Sequence, residues 1–161
     1  MIWLKAMAVR IKPHHFVDIV TALGVGQTHF AAHPYGHALH RVAEQVRTDP
    51  ETVLELDLGS DDICEPCIHN IRGVCDDTID TSFRPEAPPL KQEWNLLIDQ
   101  RWCATLGLQQ GDRLSVRAFC DRLKRLDGTV IESIYREIPP SMTAERTSNL
   151  RLGVKALLAE E

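Results

Sequence analysis

Three cysteines, Cys64, Cys67 and Cys75, fall within twelve residues, and this spacing constrains the chain more than any other feature of its sequence. A single tight turn can bring two thiolates spaced three residues apart to one metal, and Pro66 fixes one backbone angle of that turn. Gly73 allows the chain to double back, so that Cys75 reaches the same point. Because thiolates are soft ligands that favour iron–sulfur clusters, zinc and copper(I), the segment predicts a metal centre.

The surroundings of these cysteines are acidic and irregular. Residues 51–85 carry two Lys/Arg against nine Asp/Glu, although the net charge of the whole chain is only −5. Residues 60–89 show little periodic pattern, and a loop of that length inside a domain needs something to organise it, which a bound metal would do. A surface that binds phosphates needs the opposite charge, so we expect no nucleic-acid partner.

Other interpretations of the cysteines stay open. Cys64 and Cys67 have the spacing of a thiol–disulfide redox pair, but acidic neighbours should raise the thiol pKa, whereas such enzymes need it lowered. The cysteines could also be incidental surface residues. Five cysteines in 161 residues are too few and too unevenly spaced for a disulfide scaffold. Among metal centres, an iron–sulfur cluster, most simply 4Fe–4S, is the first expectation, and zinc is the alternative.

Hydropathy gives no sign of a membrane segment. No apolar run approaches the roughly 20 residues needed to cross a bilayer. Residues 1–9 are apolar but interrupted by Lys5, and they lack a small-residue cleavage site, so we expect no export signal. These features favour a cytoplasmic protein, in which the cysteines would stay reduced, with no membrane partner.

The hydrophobic pattern predicts an α+β fold that is mostly helical, with a helical C-terminal half. Residues 9–12 and 53–58 alternate like short strands, which are expected to pair as a two-stranded ribbon against the helices. Helices are predicted at 14–23, 34–47, 90–107, 116–126, 130–138 and from 143 onward. We expect a metal-binding domain over residues 1–126, containing the cysteine-rich loop 60–89, and a helical extension over 127–161 packed on it.

The sequence leaves the fourth metal ligand open. Cys103 lies on the predicted 90–107 helix, roughly opposite its apolar stripe, so packing alone does not explain it. Cys120 falls within an apolar stripe and is expected in the core. The candidate ligands that are not thiols are His14, His15, Asp18 and His69.

Several short motifs occur in a fixed order along the chain. They are Lys12-Pro13-His14-His15-Phe16, Gly59-Ser60-Asp61-Asp62-Ile63-Cys64-Glu65-Pro66-Cys67, Gly73-Val74-Cys75, and Leu106-Gly107-Leu108 with Gly111-Asp112. This set, over roughly residues 9–125, resembles the bacterial and archaeal family called domain of unknown function 1284, whose members look like iron–sulfur-binding proteins. Family members tend to carry a cysteine three residues after the histidine pair, where this chain has Asp18. Many also have a further cysteine group near the C-terminus, whereas residues 121–161 here contain none.

Two groups of histidines are further candidates for the site. His14 and His15 begin the first predicted helix, and since adjacent helical residues point about 100° apart, only one of them is expected to face a shared site. These histidines are expected either to be buried and hydrogen-bonded where the helix packs on the loop, or to lie at the metal as ligand or proton donor. His33, His37 and His40, with Glu44, share a face of the second predicted helix, and such spacing can hold zinc or nickel. This face lies opposite the apolar one, so we expect it to be solvated.

The function expected from these features is an iron–sulfur protein in electron transfer or a small redox role, with a redox partner protein. A zinc-stabilised protein-binding module without catalysis is the alternative, and a thiol–disulfide redox protein is a further one. The sequence carries no phosphate loop, dinucleotide fingerprint or serine-nucleophile motif, so it predicts no particular reaction.

Overall fold

The computed structural model describes residues 7–159, which form six helices and five short strands. The strands are β1 (Val9–Ile11), β2 (Val53–Leu56), β3 (Asn70–Ile71), β4 (Val74–Cys75) and β5 (Arg113–Ser115). The helices are α1 (Pro13–Gly24), α2 (Leu39–Thr48), α3 (Lys91–Leu106), α4 (Val116–Lys124), α5 (Val130–Ile134) and α6 (Pro140–Leu158). The predicted α+β class with mostly helical elements is confirmed. Residues 1–6, part of the segment weighed as an export signal, and residues 160–161 of the predicted extension lie outside the described residues.

The main sheet has three strands in the order β1-β2-β5. β1 and β2 run parallel, with Ile11 opposite Leu56, so the expected pairing of these two strands is present. β5 joins β2 antiparallel, with Leu114 opposite Leu54, and the sequence pattern did not predict it. Three residues are too few for an alternating pattern to be recognised, and Leu114 is only half-buried.

A separate two-stranded ribbon lies inside the cysteine-rich loop. β3 and β4 pair antiparallel, with Asn70 opposite Cys75. The two residues between the strands, Arg72 and Gly73, both have positive φ angles, 54° and 88°. This backbone is typical of two-residue hairpins. The hairpin reverses the direction of the chain, as was predicted from Gly73. It places Cys75 beside the turn that carries the other two cysteines.

α1 begins immediately after β1 because Pro13 suits the first position of a helix. Its first turn therefore carries the histidine pair at the edge of the sheet. α6 crosses α1 at very close range, since a Cβ atom on Gly153 would overlap the carbonyl group of Val20, and one on Gly24 would overlap that of Asn149.

α2 begins at Leu39 rather than at residue 34, which corrects the predicted helix. Gly36 has a φ of 74°, a left-handed conformation that a helix does not continue through. His33 and His37 therefore precede the helix, and the predicted histidine face does not form.

The buried side chains form a hydrophobic core to which helices from both ends of the chain contribute. The rings of Phe16 in α1 and Phe119 in α4 lie 4.3 Å apart, and Leu150 and Val154 of α6 belong to the same cluster. The division at residue 126 stays a prediction. Within residues 7–159, no helix has the length and apolar character needed to cross a membrane.

Candidate metal centre

A cavity of about 380 Å3 collects most of the predicted site residues. It lies between α1, the cysteine-rich loop and α3, and we call it the cysteine cavity. The predicted residues that line it are Cys64, Cys67, Cys75, His14, His15, His69 and Asp18.

The three clustered cysteines reach this cavity through a turn followed by the β3–β4 hairpin. The amide of Cys67 donates to the carbonyl of Cys64 at 2.9 Å, and the amide of Asn70 donates to the carbonyl of Cys67 at 3.0 Å. The amide of Cys75 donates to Oε1 of Gln92 on α3 at 2.9 Å, which ties the hairpin to the helix. All three cysteines are free and half-buried, and they also border a smaller space of about 30 Å3. The structure thus brings together the cysteines that the sequence grouped.

Asp61 organises the start of the cysteine segment and is fully buried. Its Oδ2 atom accepts hydrogen bonds from the backbone amide of Lys12 at 2.7 Å and from Nδ1 of His15 at 2.7 Å. Its Oδ1 atom accepts from the amide of Cys64 at 2.9 Å. Burial by itself would raise the pKa of Asp61, but His15 and these hydrogen bonds outweigh burial and hold it below its usual value. In the sequence, Asp61 was recognised only as part of the acidic surroundings of the cysteines, although aspartate is a common turn residue.

His15 is the histidine best placed to bind a metal together with the cysteines. Ligand atoms of His15, Asp61 and Cys64 all lie within 4.8 Å of one another, the one such group of three found among residues 7–159. Since Nδ1 of His15 is engaged by Asp61, Nε2 is the ring nitrogen left to coordinate. A histidine held by a carboxylate in this way is the usual arrangement around protein-bound metals.

Two charges act on the thiol of Cys64. Burial, followed by the Asp61 carboxylate, raises the pKa of Cys64 to about 12, while the ammonium group of Lys12 acts in the opposite direction. The Lys12 side chain is almost completely buried and lines both the cysteine cavity and the smaller space. A cation in this position would balance the negative charge of metal-bound thiolates, which are deprotonated.

His14 points its Nδ1 atom at a different carboxylate. Nδ1 lies 2.8 Å from Oδ2 of the buried Asp99 on α3, and the amide of His14 donates to Oδ1 of Asp99 at 2.7 Å. Burial lowers the pKa of His14, but Asp99 outweighs it and holds the pKa above its usual value. The rings of His14 and His15 are 4.4 Å apart. His14 therefore lies beside the candidate ligand, and it is fixed by a carboxylate that the sequence pattern did not indicate.

His69 and Asp18, the other predicted alternatives, line the cavity but already have charged partners. Nδ1 of His69 lies 2.7 Å from Oδ1 of Asp76. The carboxylate of Asp18 lies 3.8 Å from the guanidinium of Arg146 on α6.

Cys103 lies in the hydrophobic core and is not among the residues that line the cysteine cavity. The expectation that packing does not explain it is wrong, because α3 is buried on more than one face. Besides the apolar stripe of Trp94, Ile98 and Trp102, the helix buries Asn95, Asp99 and Leu106. Burial, followed by the nearby carboxylates, raises the pKa of Cys103 to about 11. Cys120 is fully buried in the core, as predicted.

His37 is a cavity residue, although its spacing in the sequence predicted a solvated helix face. It lines the cysteine cavity, and its ring stacks on that of His33 at 4.6 Å. Burial, together with His33, lowers the pKa of His37, so its neutral form is favoured. Gly36 is the sequence feature that could have indicated that the helix begins after His37.

Comparison with known proteins gives no further information about the chain. No family model, no curated protein and no solved structure matches it. The resemblance to the domain of unknown function 1284 family therefore gains no support from these comparisons and stays a prediction.

Proposed function

We propose that the protein holds an iron–sulfur cluster in the cysteine cavity, with Cys64, Cys67 and Cys75 as thiolate ligands and His15 as the fourth. The observation that carries the proposal is the meeting of these three cysteines at one cavity with a histidine whose Nδ1 is held by the buried Asp61. Three soft ligands and one imidazole form a donor set that suits an iron–sulfur cluster.

The positions of Cys67 and Cys75 support a cluster over a single ion. His15, Asp61 and Cys64 lie within single-ion distance, and Cys67 and Cys75 border the same cavity without joining that group. A four-iron cluster spans several ångströms, so its ligands lie farther apart than those of one tetrahedral zinc ion. The wider placement of Cys67 and Cys75 therefore supports a 4Fe–4S cluster, whereas the close pair of His15 and Cys64 would also suit a single ion.

The chain's own residues would set the properties of such a centre. Asp61 orients His15, Lys12 supplies a buried positive charge, and Ile63 and Trp94 form apolar walls that limit the access of water. The cluster would supply one-electron chemistry at this position. Burial, charge and hydrogen bonds near the ligands are the features by which proteins adjust the potential of such clusters.

The surface beside the cysteines supports a role in electron transfer to a redox partner protein. Ile68, Ile71 and Val74 are more than half exposed, and they flank Cys67 and Cys75 on the turn and hairpin. Apolar side chains grouped next to a redox centre would let a partner approach its thiolate ligands closely. The free thiols fit a reducing compartment, and the cytoplasm is part of this proposal.

A zinc-stabilised binding module is the second candidate, because three cysteines and one histidine also form a structural zinc site. The same hairpin surface would then be a protein-binding surface without redox chemistry. The thiol–disulfide alternative is less well supported, since the raised pKa of Cys64 opposes the thiolate that such an enzyme needs.

The test is the metal content of protein purified without oxygen. The proposal predicts iron and acid-labile sulfide together with broad visible absorption that bleaches on reduction. His15→Ala should change this spectrum or speed cluster loss, whereas His37→Ala, the matched control on the same cavity, should have a smaller effect. One zinc per chain in a colourless protein would establish the second candidate instead, and metal-free protein would overturn both.

A further inference from the structure

Two arginines line the cysteine cavity in addition to the candidate ligands. Arg84 follows the cysteine-rich hairpin, and Arg146 belongs to α6. The Arg84 guanidinium lies 4.7 Å from the ring centre of Phe83 and 5.2 Å from that of Trp94. Its Nε atom donates to the carbonyl of Asp80 at 2.7 Å. These contacts fix the guanidinium plane without neutralising its charge.

The charge of Arg84 is poorly compensated. Among residues 7–159, no carboxylate lies within ion-pair distance of it, although Arg84 is half-buried. Burial lowers the pKa of Arg84 and the charge of Arg146 acts in the same direction, while the Asp80 carboxylate opposes them. Arg84 and Arg146 line the same cavity, where their like charges repel one another, and an anion between them would relieve that repulsion.

Arg146 and Tyr135 complete the polar lining of this part of the cavity. The Arg146 guanidinium lies 4.6 Å from the ring centre of Tyr135, and Asp18 approaches it from the other side at 3.8 Å. Tyr135 is buried, and its hydroxyl oxygen accepts a hydrogen bond from Nε1 of Trp102 at 3.1 Å. With Asp18 balancing one arginine, the subsite retains about one positive charge.

We propose that Arg84 and Arg146, the latter held over the ring of Tyr135, form a subsite for the carboxylate or phosphate group of a small anionic substrate, in the same cavity as the metal centre. Guanidinium groups bind both kinds of oxyanion through paired hydrogen bonds. The cavity volume of about 380 Å3 lies within the range of small-molecule sites. The inference rests on the proposed function for the chemistry such a substrate would meet, and it extends that function from electron transfer to a reaction on an anion.

Isothermal titration calorimetry of the full chain, purified without oxygen, tests the subsite with inorganic phosphate and with malonate as probes in chloride buffer. Arg84→Gln should weaken binding by at least about tenfold, because a charge-assisted hydrogen bond is lost. The surface variant Arg47→Gln removes an arginine paired with Glu44 on α2 and should bind like wild type. Tighter binding of phosphate or of malonate identifies the group that the subsite prefers, and either supports the proposal.

Two further measurements keep the test decisive. Arg146→Gln removes a contact with Tyr135 and could unfold the chain, so Arg146→Lys, which retains the charge, is tested beside it. Far-ultraviolet circular dichroism measures whether each variant is folded. Binding should also alter the fluorescence of Trp94, which lies under Arg84. No binding of either probe, or equal binding by wild type and Arg84→Gln, would overturn the subsite. Iron and sulfide are measured in the same samples. Binding that depends on Arg84 in protein without iron and sulfide would overturn the metal proposal and support the subsite.

Discussion

Nδ1 of His15 lies 2.7 Å from Oδ2 of Asp61, and this pair joins the first turn of α1 to the beginning of the cysteine segment. Asp61 is fully buried, and its other oxygen accepts from the amide of Cys64 at 2.9 Å. One carboxylate therefore sets the orientation of a histidine and of a cysteine that are 49 residues apart in the sequence. The pair makes His15, rather than Cys103, the proposed fourth ligand.

Replacement of this carboxylate should loosen the metal centre. In Asp61→Asn the side-chain shape is retained, but one bonded oxygen becomes an amide nitrogen, so His15 or the neighbouring backbone amides lose their acceptor. Loss of an outer-shell partner typically weakens metal binding about 10–100-fold, and we expect the variant to lose iron to a chelator correspondingly faster. The exposed Asp121→Asn on α4 is the control. Equal rates of iron loss in wild type and Asp61→Asn would contradict the assigned role.

The thiol of Cys64 should react slowly in the metal-free folded protein. Burial and Asp61 raise its pKa to about 12, so the thiolate is scarce at pH 8. We expect iodoacetamide to alkylate Cys64 roughly a thousandfold more slowly in the folded chain than in urea, because the thiolate is the nucleophile. The rate, followed by peptide mass spectrometry, should rise with pH up to at least pH 11. A rate that levels off near pH 8 would instead indicate the activated thiol of a thiol–disulfide enzyme.

The crossing of α1 and α6 should not tolerate a methyl group. Alanine in place of glycine inside a helix is normally favourable by about 0.5–1 kcal/mol. In Gly153→Ala the new Cβ would overlap the carbonyl of Val20, so we expect a net loss of at least about 1–3 kcal/mol in the free energy of unfolding, measured in urea. Gly128→Ala meets only the mobile end of the Arg151 side chain and should change stability little. Unchanged stability of Gly153→Ala would show that the two helices can separate without cost.

The local part of the site could be predicted from the sequence. Cys64 and Cys67 sit on one turn, and Gly73 closes a two-residue hairpin, so the grouping of three cysteines depends on residues close together in the chain. The helix beginning at Pro13 and the pairing of the first two strands followed from equally local signals.

The remaining features of the site depend on contacts between distant segments, which a single sequence does not reveal. The hydrogen bonds of Asp61 and Asp99 to the histidine pair join residues 46 and 85 positions apart. Cys103 was misjudged because a stripe identifies one buried face, whereas α3 is packed on more than one. The proposed arginine subsite gave no sequence signal because Arg84 and Arg146 line one cavity only when α6 folds back on α1.

The most direct measurement of the central claim is the iron and sulfide content of two cysteine variants, each purified without oxygen beside the wild type. Cys67→Ala removes a proposed ligand, and Cys103→Ala removes a core cysteine of the same type. We predict that Cys67→Ala loses most of the iron, the sulfide and the visible absorption, while Cys103→Ala retains all three. Equal iron and sulfide in Cys67→Ala and wild type, or loss of both in Cys103→Ala alone, would contradict the proposed centre.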